Sequence, residues 1–290
     1  MQLDFFNDSH SITLRNDVIL ALLRCDGPAA ELAWKTLSKH HPQDDCLDAL
    51  MLLIVALSER TSSPFQSHAE LCNERLALQN QITPSALYSL GRTEAIPWLG
   101  QRWQELAQRA TALPYRAEYL EDHAAPLWLQ AEQWQAAADA VAGIESWRRI
   151  PAPLSWMLHA RLKLQGLQTN WGLLAELAWM SPQRLADVLA LVDEPILQTL
   201  VSQFEQHFEG LGDTSDLAWF PAWVLTQRPA LASALTQAQV SQHTAPEQAM
   251  RVLLELLGLE RQGRQRDVIE RRKTLRGLHA GLYAAYMASR

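Results

Sequence analysis

Three carboxylates at 44–48, in the order Asp44-Asp45-Cys46-Leu47-Asp48, form the pattern in this chain closest to a catalytic motif. At offsets i, i+1 and i+4 of a helix they could hold Mg²⁺ against a diphosphate. That chemistry needs a second acidic motif on a facing helix. The only later acidic cluster, Asp213-Thr214-Ser215-Asp216, lacks the spaced Ser/Thr and Glu of one. The acids also open the apolar stretch Leu47–Leu57, where negative charge suits the helix N-terminus, and we read them as helix-opening residues. His40-His41 beside Asp44, Asp45 and Cys46 suggests zinc by composition but not by spacing. Zinc sites pair ligands at i, i+3 or i+4 with a second pair further along, and no second pair is present. The remaining histidines stand singly. There is no P-loop, no G-x-G-x-x-G, no G-x-S-x-G and no H-E-x-x-H. No cofactor or metal is expected.

Asp44–Asp48 is similar to the D-D-x-x-D signature of isoprenoid synthases, themselves all-helical. That resemblance implies a metal-dependent enzyme acting on a diphosphate, carried by Asp44, Asp45 and Asp48, and it is the alternative to a non-catalytic reading.

Two further groups of residues suit binding rather than catalysis. Between Arg261 and Arg276 lie Arg261, Arg264, Arg266, Arg271, Arg272, Lys273 and Arg276, against only Asp267 and Glu270. Such a segment could grip an acidic partner or nucleic acid, or form a solvated helix face over Leu275, Leu278, Leu282 and Tyr286. Trp147-Arg148-Arg149 combines the residue types most enriched at binding hot spots, although Trp147 could equally cap the core. Trp147, Arg148, Arg149, Arg264, Arg271 and Arg272 are therefore the candidate partner-binding residues.

The 290 residues carry a formal net charge of −7, which opposes general attraction to phosphate backbones and argues against nucleic acid as the partner. Apolar residues make up 48% and charged ones 20%, excluding a wholly disordered chain. Three cysteines, an odd number without C-x-x-C, point to reduced thiols and a cytoplasmic setting. The start, Met-Gln-Leu-Asp-Phe-Phe, lacks the basic and apolar regions of a signal peptide, and no apolar run approaches the ~20 residues that span a bilayer.

Leu, Ala and Gln dominate while Gly is sparse, a balance that favours helix. Asp26-Gly27-Pro28, Thr83-Pro84, Gly166 to Asn170, Ser181-Pro182 and Thr244-Ala245-Pro246-Glu247 punctuate the pattern as caps and turns. Between them the periodicity predicts helices throughout, among them 14–25, 66–80, 84–91, 115–132 and a long one over 262–288. The fold expected is all-α, built of antiparallel hairpins.

Trp103–Ala107–Ala110, Trp134–Ala138–Val141 and Trp171–Ala175–Ala178 repeat one arrangement at offsets i, i+4 and i+7, with starts 31 and 37 residues apart. With the pair 153–166 and 170–180, and the Pro182 that follows, this resembles a tetratricopeptide repeat, whose period is 34. The adjacent Leu-Gly of that family is missing here. The resemblance implies a curved α-solenoid over about 95–185, binding a peptide or protein on its concave side, and nothing catalytic. The chain is accordingly divided into an N-terminal segment or cap (1–82), repeat hairpins (83–192) and a C-terminal segment continuing the array (193–290). The function expected is a protein-interaction scaffold or adaptor.

Overall fold

The computed structural model describes residues 2–239 and 243–290, with side chains from residue 10 onward. Every regular element among them is helical, and none is a strand. No helix among the described residues is long and apolar enough to cross a membrane. Contacts divide the chain into two compact units, Met1–Gln133 and Trp134–Arg290. The expected divisions at 82/83 and 192/193 both fall inside these units.

The first unit contains α1 (Gln2–Leu23), α2 (Gly27–His40), α3 (Leu47–Ser58), α4 (His68–Ala77), α5 (Thr83–Leu90), α6 (Arg92–Ala110) and α7 (Ala124–Gln130). Helix α1 starts twelve residues before the expected helix at 14. It pairs with α2 through a turn in which Cys25 takes φ 55° and Asp26 accepts the Ala29 N–H at 3.0 Å, the cap expected there. A single residue, Gly91 at φ 74°, separates α5 from α6.

Thr83-Pro84 opens α5 as expected, with Pro in the first turn, but the Thr83 hydroxyl does not cap it. The chain runs from α4 through a π-helical turn, Leu78–Ile82, directly into α5. Proline supplies no N–H and crowds the preceding turn. The backbone responds by widening, and both the N–H and the Oγ1 of Thr83 (2.8 Å) reach the Leu78 carbonyl.

The expected helix over 115–132 is also interrupted. Residues 117–119 make one 3₁₀ turn and α7 starts only at Ala124, because His123 is extended and its Nδ1 accepts the Ala125 N–H at 3.1 Å. That bond requires the neutral ring. Burial, with a smaller contribution from His68, lowers the His123 pKa from 6.5 to about 4. The sign of the consequence is fixed: between these values the unfolded chain binds a proton that the folded chain refuses, so stability falls as pH falls. We expect a loss of up to about 3 kcal/mol between pH 6.5 and 4, on top of any other groups titrating there. Urea midpoints measured across this range in the parent and in His123→Asn, which keeps a capping side chain, should show the variant with the flatter profile.

The second unit contains α8 (Trp134–Ala142), α9 (Pro151–Gln165), α10 (Trp171–Met180), α11 (Pro182–Leu191), α12 (Pro195–His207), α13 (Phe220–Gln227), α14 (Ala232–Leu235), α15 (Ala245–Arg261), α16 (Gln265–Leu278) and α17 (Ala280–Ala288). Trp171–Trp179 of α10 and Phe220–Thr226 of α13 are buried without interruption. A helix apolar on all sides belongs inside a layer of others, and α13 packs on α10, α12, α15 and α17. Contact at Gly172 is close: a Cβ there would lie 3.1 Å from the Ala238 nitrogen. The long helix expected over 262–288 is two helices. His279 is extended and its Nδ1 accepts the Leu282 N–H at 3.0 Å, capping α17.

Candidate functional site

The acidic motif and its surroundings fold onto an arginine. Arg15, from α1, places Nη2 2.8 Å from Asp44 Oδ2 and 3.1 Å from Asp45 Oδ1. The other Asp44 oxygen accepts the Cys46 N–H at 2.9 Å, and the Asp44 side chain is only 2% exposed. Tyr88 donates to Asp45 at 2.9 Å, and this bond holds the Asp45 carboxyl below its ordinary range. Burial pushes the Cys46 thiol up. Among the described residues Asp44, Asp45 and Cys46 form the one group of three metal-ligand types, their atoms within 4.8 Å of one another. Asp48 is exposed and stands outside it. A guanidinium therefore sits where the motif would need a divalent cation.

The His40-His41 pair gains a partner from α1. The His10 Nδ1 lies 3.1 Å from the His41 Nε2, and the His10 and His40 rings are 5.7 Å apart. One ring donates to another there, which sequence could not show because 31 residues separate His10 from His41.

Trp147, Arg148 and Arg149 form a 3₁₀ turn before α9. Arg148 points inward: Nε and Nη2 each lie 2.6 Å from a carboxylate oxygen of Glu176, whose side chain is 2% exposed. Trp147 is half-buried under the Arg161 guanidinium, 5.9 Å from its ring centre. Arg149 is exposed and makes no ion pair among the described residues.

The basic segment runs from the last residue of α15 through a short turn into α16, and most of its cations already face acids. Arg264 meets Asp267 at 2.6 Å, Arg271 meets Glu255 at 2.7 Å and Lys273 meets Glu270 at 2.8 Å. Arg272 reaches Glu260 at 3.2 Å on the side facing α17, where Tyr286 also bonds Glu260. Arg261, Arg266 and Arg276 make no ion pair among the described residues.

Two of these arginines line a groove between α15 and α16. Glu255, Gly258, Leu259 and Gln262 contribute one wall, and Arg264, Asp267, Glu270, Arg271 and Thr274 the other, around about 590 Å³. The α15 residues are spaced at i, i+3, i+4 and i+7 and therefore share one helix face. So do Asp267, Glu270, Arg271 and Thr274 on α16. At Thr274 the groove adjoins a second, more apolar cavity of about 270 Å³, between Gln248, Arg251 and Val252 of α15 and Leu278 of α16. Glycine at 258, inside α15, costs about 1 kcal/mol of helix stability, and a Cβ there would meet nothing within 4 Å. The helix thus has open space at the groove wall. The bridge from Arg271 to Glu255 spans the groove with both side chains about half exposed. Exposed pairs of this kind contribute little, about 0.2–1 kcal/mol, and are readily exchanged for a partner's charges.

Arg264 and Arg271 were legible as candidates from local charge contrast; Gly258, Leu259, Thr274 and the α15 acids were not. The available signal was the glycine in an otherwise strongly helical stretch. The class defined so far is an all-helical protein of two units with an open interhelical groove. No protein-family model, curated protein or solved structure matches the chain.

Proposed function

We propose that this protein is a non-catalytic adaptor that holds a peptide segment of another protein in the α15–α16 groove. The observation that carries the reading is the groove itself: a seam between paired helices, polar with both signs of charge along one part and apolar along the next. That arrangement fits a peptide with charged residues of both signs beside an apolar anchor. It suits a phosphate backbone poorly, because Arg264 and Arg271 already face Asp267 and Glu255 and Glu270 adds a third carboxylate to the lining. The arginine already paired with Asp44 speaks against diphosphate chemistry at 44–48. In this proposal the hairpins of α8 to α11 are an irregular relative of tetratricopeptide arrays, supported by the pairing of α8 with α9 and of α9 with α10. Three free cysteines agree with a reducing cytoplasm.

Gly258 supplies the test. Gly258→Ala should raise the stability of the second unit by about 0.5–1 kcal/mol, since it removes a helix-interior glycine without a clash. Gly258→Trp should fill the groove and abolish capture of partners retained by the wild-type protein, with an unchanged helical circular dichroism spectrum. Equal capture by Gly258→Trp and wild type would overturn the proposal.

A further inference from the structure

A further cavity, in the first unit, has the features of a small-molecule site. It holds about 270 Å³ between the end of α3, the π-helical turn and α6. Its floor is apolar, made by Ala56, Ala77, Leu78, Ile82 and Leu106. Leu78 and Ile82 are the first and last residues of the π turn. Such turns are rare in proteins and frequently stand at functional sites.

The charged lining is unevenly paired. Arg109 takes Glu74 with both terminal nitrogens, and its Nε donates to the Ser63 carbonyl at 2.9 Å. Arg60 and Arg102 converge on a single oxygen, Oε1 of Glu105 (3.0 Å from Arg102 Nη2). Arg102 is 6% exposed, and neither its Nε nor its Nη1 has a partner. The Trp98 ring, 5.4 Å away, offers only partial compensation. Two guanidiniums share one carboxylate oxygen at the buried end, so Arg102 has a single, divided acceptor there, although the lining as a whole carries three acids and three arginines. Burial is also the main influence holding the Arg102 pKa below its ordinary value. Glu59, the remaining acid of the lining, is exposed at the rim.

We propose that this cavity binds a small carboxylate, whose oxygens meet Arg102 and whose short apolar body lies against Ala56, Leu78, Ile82 and Leu106. The carboxylate gives Arg102 an acceptor that it does not share with Arg60, and the apolar floor favours a ligand with an apolar part. The site is separate from the α15–α16 groove and does not depend on it.

The test uses the full chain titrated with sodium hexanoate, with hexanamide and inorganic phosphate as the neutral and body-less comparisons. Hexanoate should bind saturably by calorimetry and raise the melting temperature, while the other two should not at equal concentration. Arg102→Met should weaken hexanoate about tenfold or more, the loss expected for a charge-assisted hydrogen bond. Ala56→Leu, which narrows the floor, should weaken it too and gives the reading if Arg102→Met does not fold. Gly258→Trp should bind hexanoate as the wild type does. The proposal is overturned if hexanoate fails to saturate, if hexanamide matches it, if phosphate alone binds, or if Ala56→Leu binds like the parent.

Discussion

Replacing Arg148 by alanine is expected to destabilise the second unit by about 3–5 kcal/mol, the cost typical of removing one member of a buried ion pair. Glu176 is 2% exposed and receives both Arg148 bonds together with the Gln239 N–H at 2.6 Å. Arg148 Nη2 also reaches the Gln237 carbonyl at 3.3 Å, so one guanidinium joins α10 to the segment after α14. Without it the carboxylate keeps one backbone donor and no counter-charge. Glu176→Gln should cost less, because Arg148 is 30% exposed and can recover water. The double variant Arg148→Ala/Glu176→Leu should recover much of the loss, since no buried charge remains. Urea unfolding followed by tryptophan fluorescence reads all three. Wild-type stability in Arg148→Ala would mean that Arg148 faces a partner rather than the fold.

Trp171→Ala is the second large effect, again about 3–5 kcal/mol. The ring is 1% exposed at the start of α10, inside a helix buried from Trp171 to Trp179. Its indole nitrogen has no hydrogen-bond partner. Trp171→Phe therefore discards an orphan donor along with some volume and should cost clearly less than the alanine variant. Trp134, half-buried against His159 and Lys163, marks the contrast. Its replacement by alanine should cost less than that of Trp171. Equal losses at the two positions would contradict the distinction drawn from burial.

That contrast shows how far the repeated Trp–small–small spacing was informative. Ala107, Ala110, Ala138, Val141, Ala175 and Ala178 are all buried, as one helix face at i+4 and i+7 requires. The tryptophans that introduce them differ: Trp171 is enclosed, while Trp103 and Trp134 are half-buried. Periodicity identifies a face but not what covers it.

Caps were legible where the donor is local. Asp26, Ser181 and Thr244 each accept the expected N–H three residues on. Asn170 does not cap α10 with its side chain. It closes the end of α9 instead, donating to the Gly166 carbonyl at 2.8 Å, because a turn residue can serve either neighbour. The histidine caps at 123 and 279 went unread, and two expected helices were too long as a result.

The sequence by itself determined the all-helical class, the punctuation by Asp, Ser, Thr and Pro, and the burial of the small residues after each tryptophan, since these follow from interactions within a few residues. Only the tertiary structure decided the use of the charges. Arg15 closes over Asp44, Arg148 over Glu176, and Arg60 and Arg102 over the same oxygen of Glu105. These partners lie 29, 28 and 45 residues apart except for Arg102, one turn from Glu105. A charge is neutral or reactive according to what lies within a few ångströms, and for most of these groups that neighbour comes from another helix.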